Sequence, residues 1–400
     1  MTARYDSVVV GGGLLGAALA WMLASQGASV LLLERDQLNQ HASGQNAGSL
    51  HFQLEYRMVE NGWESARTAA EAMPLHLAAA EEWRSLGDEL GESLGVRQPG
   101  GFMLAETAEQ VEVLQRKTEL ERQWGLEVVL LDGDEARARA PYLSDRVLAA
   151  AFCPIEGKAD TRIAGPALVR GAVRRGAEVL TRHEVVGLSR AGEGWHVQAV
   201  DRSAPGAPAE VRFEARTVML AAGVWTTRLG RLLDVELPTI PLGLMMSVTA
   251  ATEPFIPHLV QHAGAKLSLK QAGNGTVLIG GGWPATLTTT ADGSPDVDAR
   301  PALVRSSLIG NARAAIGVVP RTAALPVLRS WVGATTVTPD QLPLVGEVPG
   351  RPGVFVATGG SAFTLGPSFA RSLIALADGR APAIDLTPYD PQRFGGLLHV

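Results

Sequence analysis

Apolar residues along this chain gather in runs, and the first run is the most informative. Val8 to Val10 predict a buried strand, Gly11 to Gly13 interrupt it, and Leu14 to Leu23 predict a helix that is apolar all round. Val30 to Leu33 then predict a second buried strand that stops on Glu34. No residue from Ser7 to Leu33 is charged, so a membrane span or a signal-peptide core competes for the same stretch. Three consecutive glycines make a poor helix there, and only Arg4 supplies positive charge in front.

Further along, the pattern alternates between helix and strand. Val59 to Leu90 predict a long helix or a bent pair with its kink at Met73-Pro74, and Ala108 to Gly125 an amphipathic helix. GGFMLAE and EVVLLD predict short strands. A helix over Arg162 to Gly176 precedes strands at Ala177 to Thr181 and Glu184 to Arg190, and TVMLAAG at 217–223 predicts another buried strand ending in small residues. Between Pro238 and Gly282 the pattern changes to an antiparallel sheet, with Asn274-Gly275 as a hairpin turn. A surface loop at 285–300 and a helix over Ala302 to Gly317 follow. The segment 353–379 is again strand, Gly359-Gly360 turn and helix, the helix expected over Leu365 to Asp378.

The strand, glycine turn and helix at the start carry chemistry. Gly11, Gly13 and Gly16 satisfy G-x-G-x-x-G in its proper context, where a pyrophosphate is held by backbone N–H groups at the helix start. Glu34 falls where a carboxylate accepts hydrogen bonds from adenosine ribose hydroxyls, which argues against a 2′-phosphate. The end of the 217–223 strand, at Gly223, and the Gly359-Gly360 turn are places where backbone must approach a ligand closely. The helix after Gly360 points its positive end at whatever lies above, which suits a flavin ring that becomes negative on reduction.

Composition narrows the classes. At 400 residues the chain exceeds what one core organises, and a net charge of −6 offers no basic field for nucleic acid or anionic lipid. Cys153 is the only cysteine, which excludes an internal disulfide and a cysteine-ligated cluster on this chain alone, and the eight histidines lack metal-ligand spacing, so no metal is expected. The composition fits a cytoplasmic enzyme.

Six segments together resemble the D-amino acid oxidase family of flavoproteins, which includes glycine oxidase, sarcosine oxidase and hydrogen cyanide synthase. They are the N-terminal glycine motif, ASGQNAGSLH at 42–51, TVMLAAGVW at 217–225, SLKQAGNGTVLIGGG, WVGATTVTPDQLPLVGE at 331–347 and ATGGSAFTLGP at 357–367. Within the family, N-A-G-S-L-H followed by Q is similar to the catalytic subunits of opine oxidases and hydroxyproline dehydrogenases. The resemblance implies an α/β fold: a Rossmann-like FAD-binding domain with an inserted α+β substrate domain built on an antiparallel sheet. The expected division assigns 1–60, 145–235 and 330–400 to the FAD-binding domain and 61–144 and 236–329 to the substrate domain.

By the same resemblance, FAD would meet Gly11, Gly13, Leu15 and Gly16 at the pyrophosphate and Glu34 and Arg35 at the ribose. Ser43, Gly44, Asn46, Ala47, Gly48 and Leu50 would pass the ribityl chain and ring. Val185 would touch adenine, and Gly359, Gly360, Thr364 and Leu365 would cup the ring. The implied chemistry removes hydride from an amine-bearing carbon to give an imine, so positioning matters more than acid or base. His51 is expected near the ring as hydrogen-bond donor or proton acceptor. Several family members place a carboxylate-gripping arginine two positions after W-x-G; here that position is Thr335, with Arg329, Arg321 or Lys270 as substitutes nearby. Trp283, Trp331, Met245 and Phe363 are candidates for an apolar pocket.

The substrate expected is a secondary or N-substituted amino acid, with a primary D-amino acid or glycine as the alternative. The electron acceptor is either oxygen or a partner subunit carrying flavin and an iron–sulfur centre. Two other classes compete. A pyridine-nucleotide reductase would carry a second glycine fingerprint mid-chain, and none occurs. A flavin-binding scaffold subunit without catalysis has Thr335 as its support.

Overall fold

In the computed structural model, which describes residues 3–204 and 207–395, the first apolar run forms the middle of an eight-stranded sheet. Its main path runs Leu344–Glu347, Val354–Thr358, Ala209–Leu220, Ala3–Val10, Val30–Glu34 and Glu178–Thr181, and every pairing along it but the first is parallel. Strands His183–Ala191 and Gly194–Asp201 extend it as an antiparallel wing. A parallel sheet has both faces covered, which is why these strands read as continuous apolar runs.

The helix Leu14–Ser25 packs between helices Thr161–Arg174 and Ala362–Ala377. All-round contact explains its all-round apolar surface, and a membrane is not needed to account for it. Among the described residues no helix is long and apolar enough to cross a membrane.

A second eight-stranded sheet runs Val327–Val337, Ile240–Thr249, Val277–Gly280, Ser268–Gln271, Leu259–His262, Gly101–Ala105, Ala149–Cys153 and Val129–Asp132. Its pairings are antiparallel except that of Leu259–His262 with Gly101–Ala105. A short ladder, Ser49–Leu50 with Gly157–Lys158, joins the chain leaving the first sheet to the second.

The structure differs from expectation in detail. Val59 to Leu90 is the end of Tyr56–Val59 followed by Trp63–Ala70 and Met73–Leu90, so of the two expectations the broken one is closer, with one break just before Met73-Pro74 and a further one ahead of Trp63. Pro74 stands in the first turn of the last of these, where its missing N–H has no helical partner to lose. The final helix begins at Ala362, three residues earlier than expected. Strands Ala149–Cys153 and Val327–Val337 both pair within the second sheet, although the expected division at 145 and 330 puts the first and most of the second with the cofactor domain. Hydrophobic runs locate strands and leave their partners open.

Candidate active site

The glycine turn closes because of what it touches. Gly11 has φ +113°, and a Cβ there would stand 2.4 Å from the carbonyl oxygen of Ala221 in the neighbouring strand's exit. A Cβ on Gly16 would fall 1.8 Å from Gly11 O, so the helix rests on the turn only with glycine at 16. Glu34 is buried, and its carboxylate accepts from Gly12 N–H at 2.6 Å and Asp36 N–H at 2.7 Å, fixing the loop against the second strand.

From this turn a long slot runs across the carboxyl ends of the first sheet. One end, about 810 Å³ with its mouth, is walled by Val10, Leu33, Val185, Ala222, Trp225 and Leu229, with Glu34 and Arg35 at its rim. The other, about 1350 Å³ with its mouth, lies between the two sheets and is lined by Leu15, Asn46, Ala47, His51, Glu55, Arg57, Ser268, Thr335, Gly359, Gly360, Phe363 and Thr364 among others. Gly13, Ala42, Ser43, Ala221, Gly223 and Val224 border both, so the two are one continuous groove.

At the far end, Ser361 enters the helix Ala362–Ala377 with φ +60° and makes no side-chain cap, and no acidic residue occupies its first turn. The helix start therefore presents backbone N–H groups and positive dipole to the groove. Thr364 Oγ1 donates to Ser49 O at 3.3 Å and its carbonyl accepts from Trp83 Nε1 at 2.7 Å, locking that helix to the Ser49–Leu50 strand.

The polar groups over this end form a connected set. Arg57 Nη2 donates to Glu55 Oε1 and Ser361 Oγ, each at 3.0 Å, and Nη1 reaches Gln341 Oε1 at 3.4 Å. Burial pushes the Glu55 carboxyl up, but the charge of Arg57 and the bonds from Arg57 and Ser361 outweigh it and hold it at about 2. His51 Nε2 lies 2.9 Å from Ser268 Oγ, and burial drives neighbouring His76 down to about 4.

The family model for FAD dependent oxidoreductases, DAO, matches residues 6–376. The chain belongs to the DAO family. It is 28% identical to glycine oxidase of Geobacillus kaustophilus, with all of both chains covered. It is 26% identical to an opine oxidase subunit of Rhizobium meliloti over 97% of each chain. The crystal structure of the Geobacillus kaustophilus glycine oxidase superposes with a TM-score of 0.83 at 26% identity, covering 100% of both chains.

FAD is thus the cofactor of this DAO-family chain, and the groove fits it. The adenine end offers an apolar wall with a carboxylate at its rim, the middle is glycine and serine at Gly11, Gly13 and Ser43, and the ring end is an uncapped helix start. Of the residues expected to meet FAD, Gly11, Gly13, Leu15, Glu34, Arg35, Ser43, Asn46, Ala47, Val185, Gly223, Gly359, Gly360 and Thr364 border the groove. Gly16, Gly44, Gly48, Leu50 and Leu365 stand behind its wall. Gly16 packs on Gly11, a Cβ on Gly44 or Gly48 would strike the carbonyl of Asn39 or Ala159, and Leu50 and Leu365 are core side chains. These five shape the groove without facing it, because a matching segment includes both the residues in contact and those that bend the chain.

Thr335 faces the groove, but the three substitutes for an arginine there do not line it. Arg329 lies over Trp331 and Arg321 over Phe255, while Lys270 is buried in the second sheet with its ammonium unpartnered. Met245 and Phe363 line the groove; Trp283 and Trp331 instead donate to the carbonyls of Lys266 and Gln45. The cation that faces the ring end of the groove, Arg57, carries no expectation from the sequence. Its sequence signal was weak: a lone arginine six residues after His51.

Proposed function

We propose that this enzyme uses FAD to dehydrogenate the carbon–nitrogen bond of a secondary or N-substituted amino acid to an imine, and that Arg57 grips the substrate carboxylate. The observation that carries this is the pairing, across one groove, of a guanidinium beside Gly360 with the short side chain of Thr335 on the opposite wall. Arg57 holds Gln341 only at 3.4 Å, a weak bond that a carboxylate can replace. Thr335, with Leu242, Met245 and Met246, leaves the roof apolar and without a second cation, which suits a substituent on nitrogen.

Bound in the groove, FAD supplies a hydride acceptor for the C–H beside the amine. The chain contributes position and charge. The carboxylate is held at Arg57, the helix start at Gly360–Ala362 favours negative charge beside it, and the sheet above excludes water. An open groove at the ring end supports catalysis over a scaffold role.

Similarity to an opine oxidase subunit supports an N-substituted substrate and work beside a partner subunit, whereas similarity to glycine oxidase supports a primary amine and direct reaction with oxygen. Turnover of N-methyl, cyclic and opine-type amino acids against glycine and primary D-amino acids, with a dye acceptor and with oxygen, tests the proposal. Dye reduction with the N-substituted set and little peroxide is the expected result. Stoichiometric peroxide with glycine or D-amino acids alone would replace it by the oxidase.

A further inference from the structure

Behind the groove stands a buried carboxylate that, among the described residues, has no Lys or Arg ion-pair partner. Glu156 is fully buried in the turn between Ala149–Cys153 and Gly157–Lys158. Its Oε1 accepts from Phe52 N–H and Gln53 N–H at 3.0 Å and from Gln261 Nε2 at 3.3 Å, and Oε2 accepts from Gln53 Nε2 at 3.0 Å. All four donors are neutral. A Cβ at residue 101 would stand 2.1 Å from Glu156 Oε2, so Gly101 admits the carboxylate. Among the described residues the imidazole beside it is His51, whose buried Nδ1 has no hydrogen-bond partner there and lies 3.9 Å from Glu156 Oε1. The other side of that imidazole is bonded to Ser268 Oγ, which faces the groove and also lies 3.0 Å from Ser49 Oγ.

We propose that Ser268, His51 and Glu156 form a proton relay that takes the ammonium proton of the amino acid out of the groove. The proposal rests on the amine-dehydrogenase function above. An amino acid enters as its ammonium, and the adjacent C–H can leave as hydride only when nitrogen has a free electron pair. The N–H bond breaks with its electrons left on nitrogen, Ser268 Oγ takes that proton while passing its own to His51 Nε2, and the ring becomes an imidazolium. Glu156 offsets the new charge without being protonated, as the carboxylate behind a catalytic histidine does. The neutral ring then carries its proton on Nδ1, facing Glu156. Ser268 is the catalytic residue in this arrangement, His51 the proton's destination, and Glu156 a positioning residue that acts through His51.

Other charged groups bear on the same ring. Glu55 and Arg57 approach from the N-cap and first turn of helix Tyr56–Val59, and His76 from helix Met73–Leu90, its Nδ1 bonded to His51 O at 3.2 Å. Lys270 follows Ser268 by two residues on its strand, and burial lowers its ammonium's affinity for a proton. Lys117 reaches the network from behind, bonded to Gln53 Oε1 at 3.1 Å and paired with Glu121 at 2.7 Å.

The test is the anaerobic rate of flavin reduction against pH for the FAD-loaded wild type, Ser268→Ala, Ser268→Thr and Glu156→Gln. Removing the anion lowers the proton affinity of His51, so Glu156→Gln moves the acid limb to lower pH, by about one unit. Ser268→Ala lowers the plateau about 100-fold with KM nearly unchanged, and Ser268→Thr restores most of it. Unchanged plateaus and limbs overturn the relay, and a lower rate with an unmoved limb reduces Glu156 to a structural group. A histidine NMR titration without substrate separates failure of this relay from failure of the amine-dehydrogenase function. His51 must titrate at lower pH in Glu156→Gln than in wild type, and identical titrations overturn the coupling whatever the substrate.

Discussion

Arg57 Nη2 donates to Ser361 Oγ across 3.0 Å, joining the chain that leaves the nucleotide turn to the helix start at the ring end, 304 positions later in sequence. That bond holds a guanidinium at the groove that Thr335 also lines. Arg57→Lys keeps the charge but loses the planar fork, and is expected to raise KM about tenfold; Arg57→Ala is expected to raise it about 100-fold, with smaller changes in kcat. Steady-state kinetics with one carboxylate-bearing substrate and its decarboxylated analogue check this. If the analogue loses as much as the parent, Arg57 serves structure and not the carboxylate.

Asp298, in the loop after the second-sheet hairpin, reaches back to the adenosine end. Its Oδ1 accepts from Arg35 Nη1 at 2.6 Å and Trp225 Nε1 at 2.8 Å, and Oδ2 from Arg228 Nη2 at 2.6 Å. Burial pushes its carboxyl up, yet these three donors hold it well below the usual carboxylate range. All three line the groove, so the loop ties down one wall of it. Asp298→Asn is expected to weaken FAD retention about 3- to 10-fold, read as the Kd for reconstitution of stripped protein, because the tie is partly exposed and charge-dependent. An unchanged Kd contradicts it.

Glu82 packs between helices Met73–Leu90 and Ala362–Ala377, and burial raises its carboxyl to about 7, only partly offset by Arg371 at 3.7 Å. The folded protein therefore holds this proton more tightly than the unfolded chain. Stability from this group is full below the ordinary carboxyl value, falls as pH rises toward 7, and stays lost above. Glu82→Gln removes that loss, and is expected to stabilise by about 1–3 kcal/mol at pH 8 and little at pH 4. Thermal unfolding at both pH values checks it; equal gains would show that packing, not protonation, is responsible.

The nucleotide half was legible because its rules are local. Glycines at 11 and 16 are demanded by backbone approach, and a helix without a polar face can only be buried. The roof was legible as strands, through alternation and the Asn274-Gly275 turn, but not as a partner list, so nothing in the sequence pairs Ala149–Cys153 with Gly101–Ala105. Arg57, Ser268, Glu156 and Asp298 were hidden for one common reason. Each acts on residues 70 or more positions away, and periodicity says nothing of which distant residue a polar side chain meets. Lys270 shows the converse, a cation whose position suggested substrate and whose side chain the sheet buries instead.

Anaerobic bleaching of the bound flavin's visible spectrum by a panel of sarcosine, proline and hydroxyproline isomers, opines, glycine and D-amino acids tests the central claim most directly. The account predicts rapid bleaching by one N-substituted or secondary amino acid, loss of that bleaching in Arg57→Ala, and slow recovery of colour when air returns. A flavin that stays bound and oxidised with every amine in the panel would contradict it.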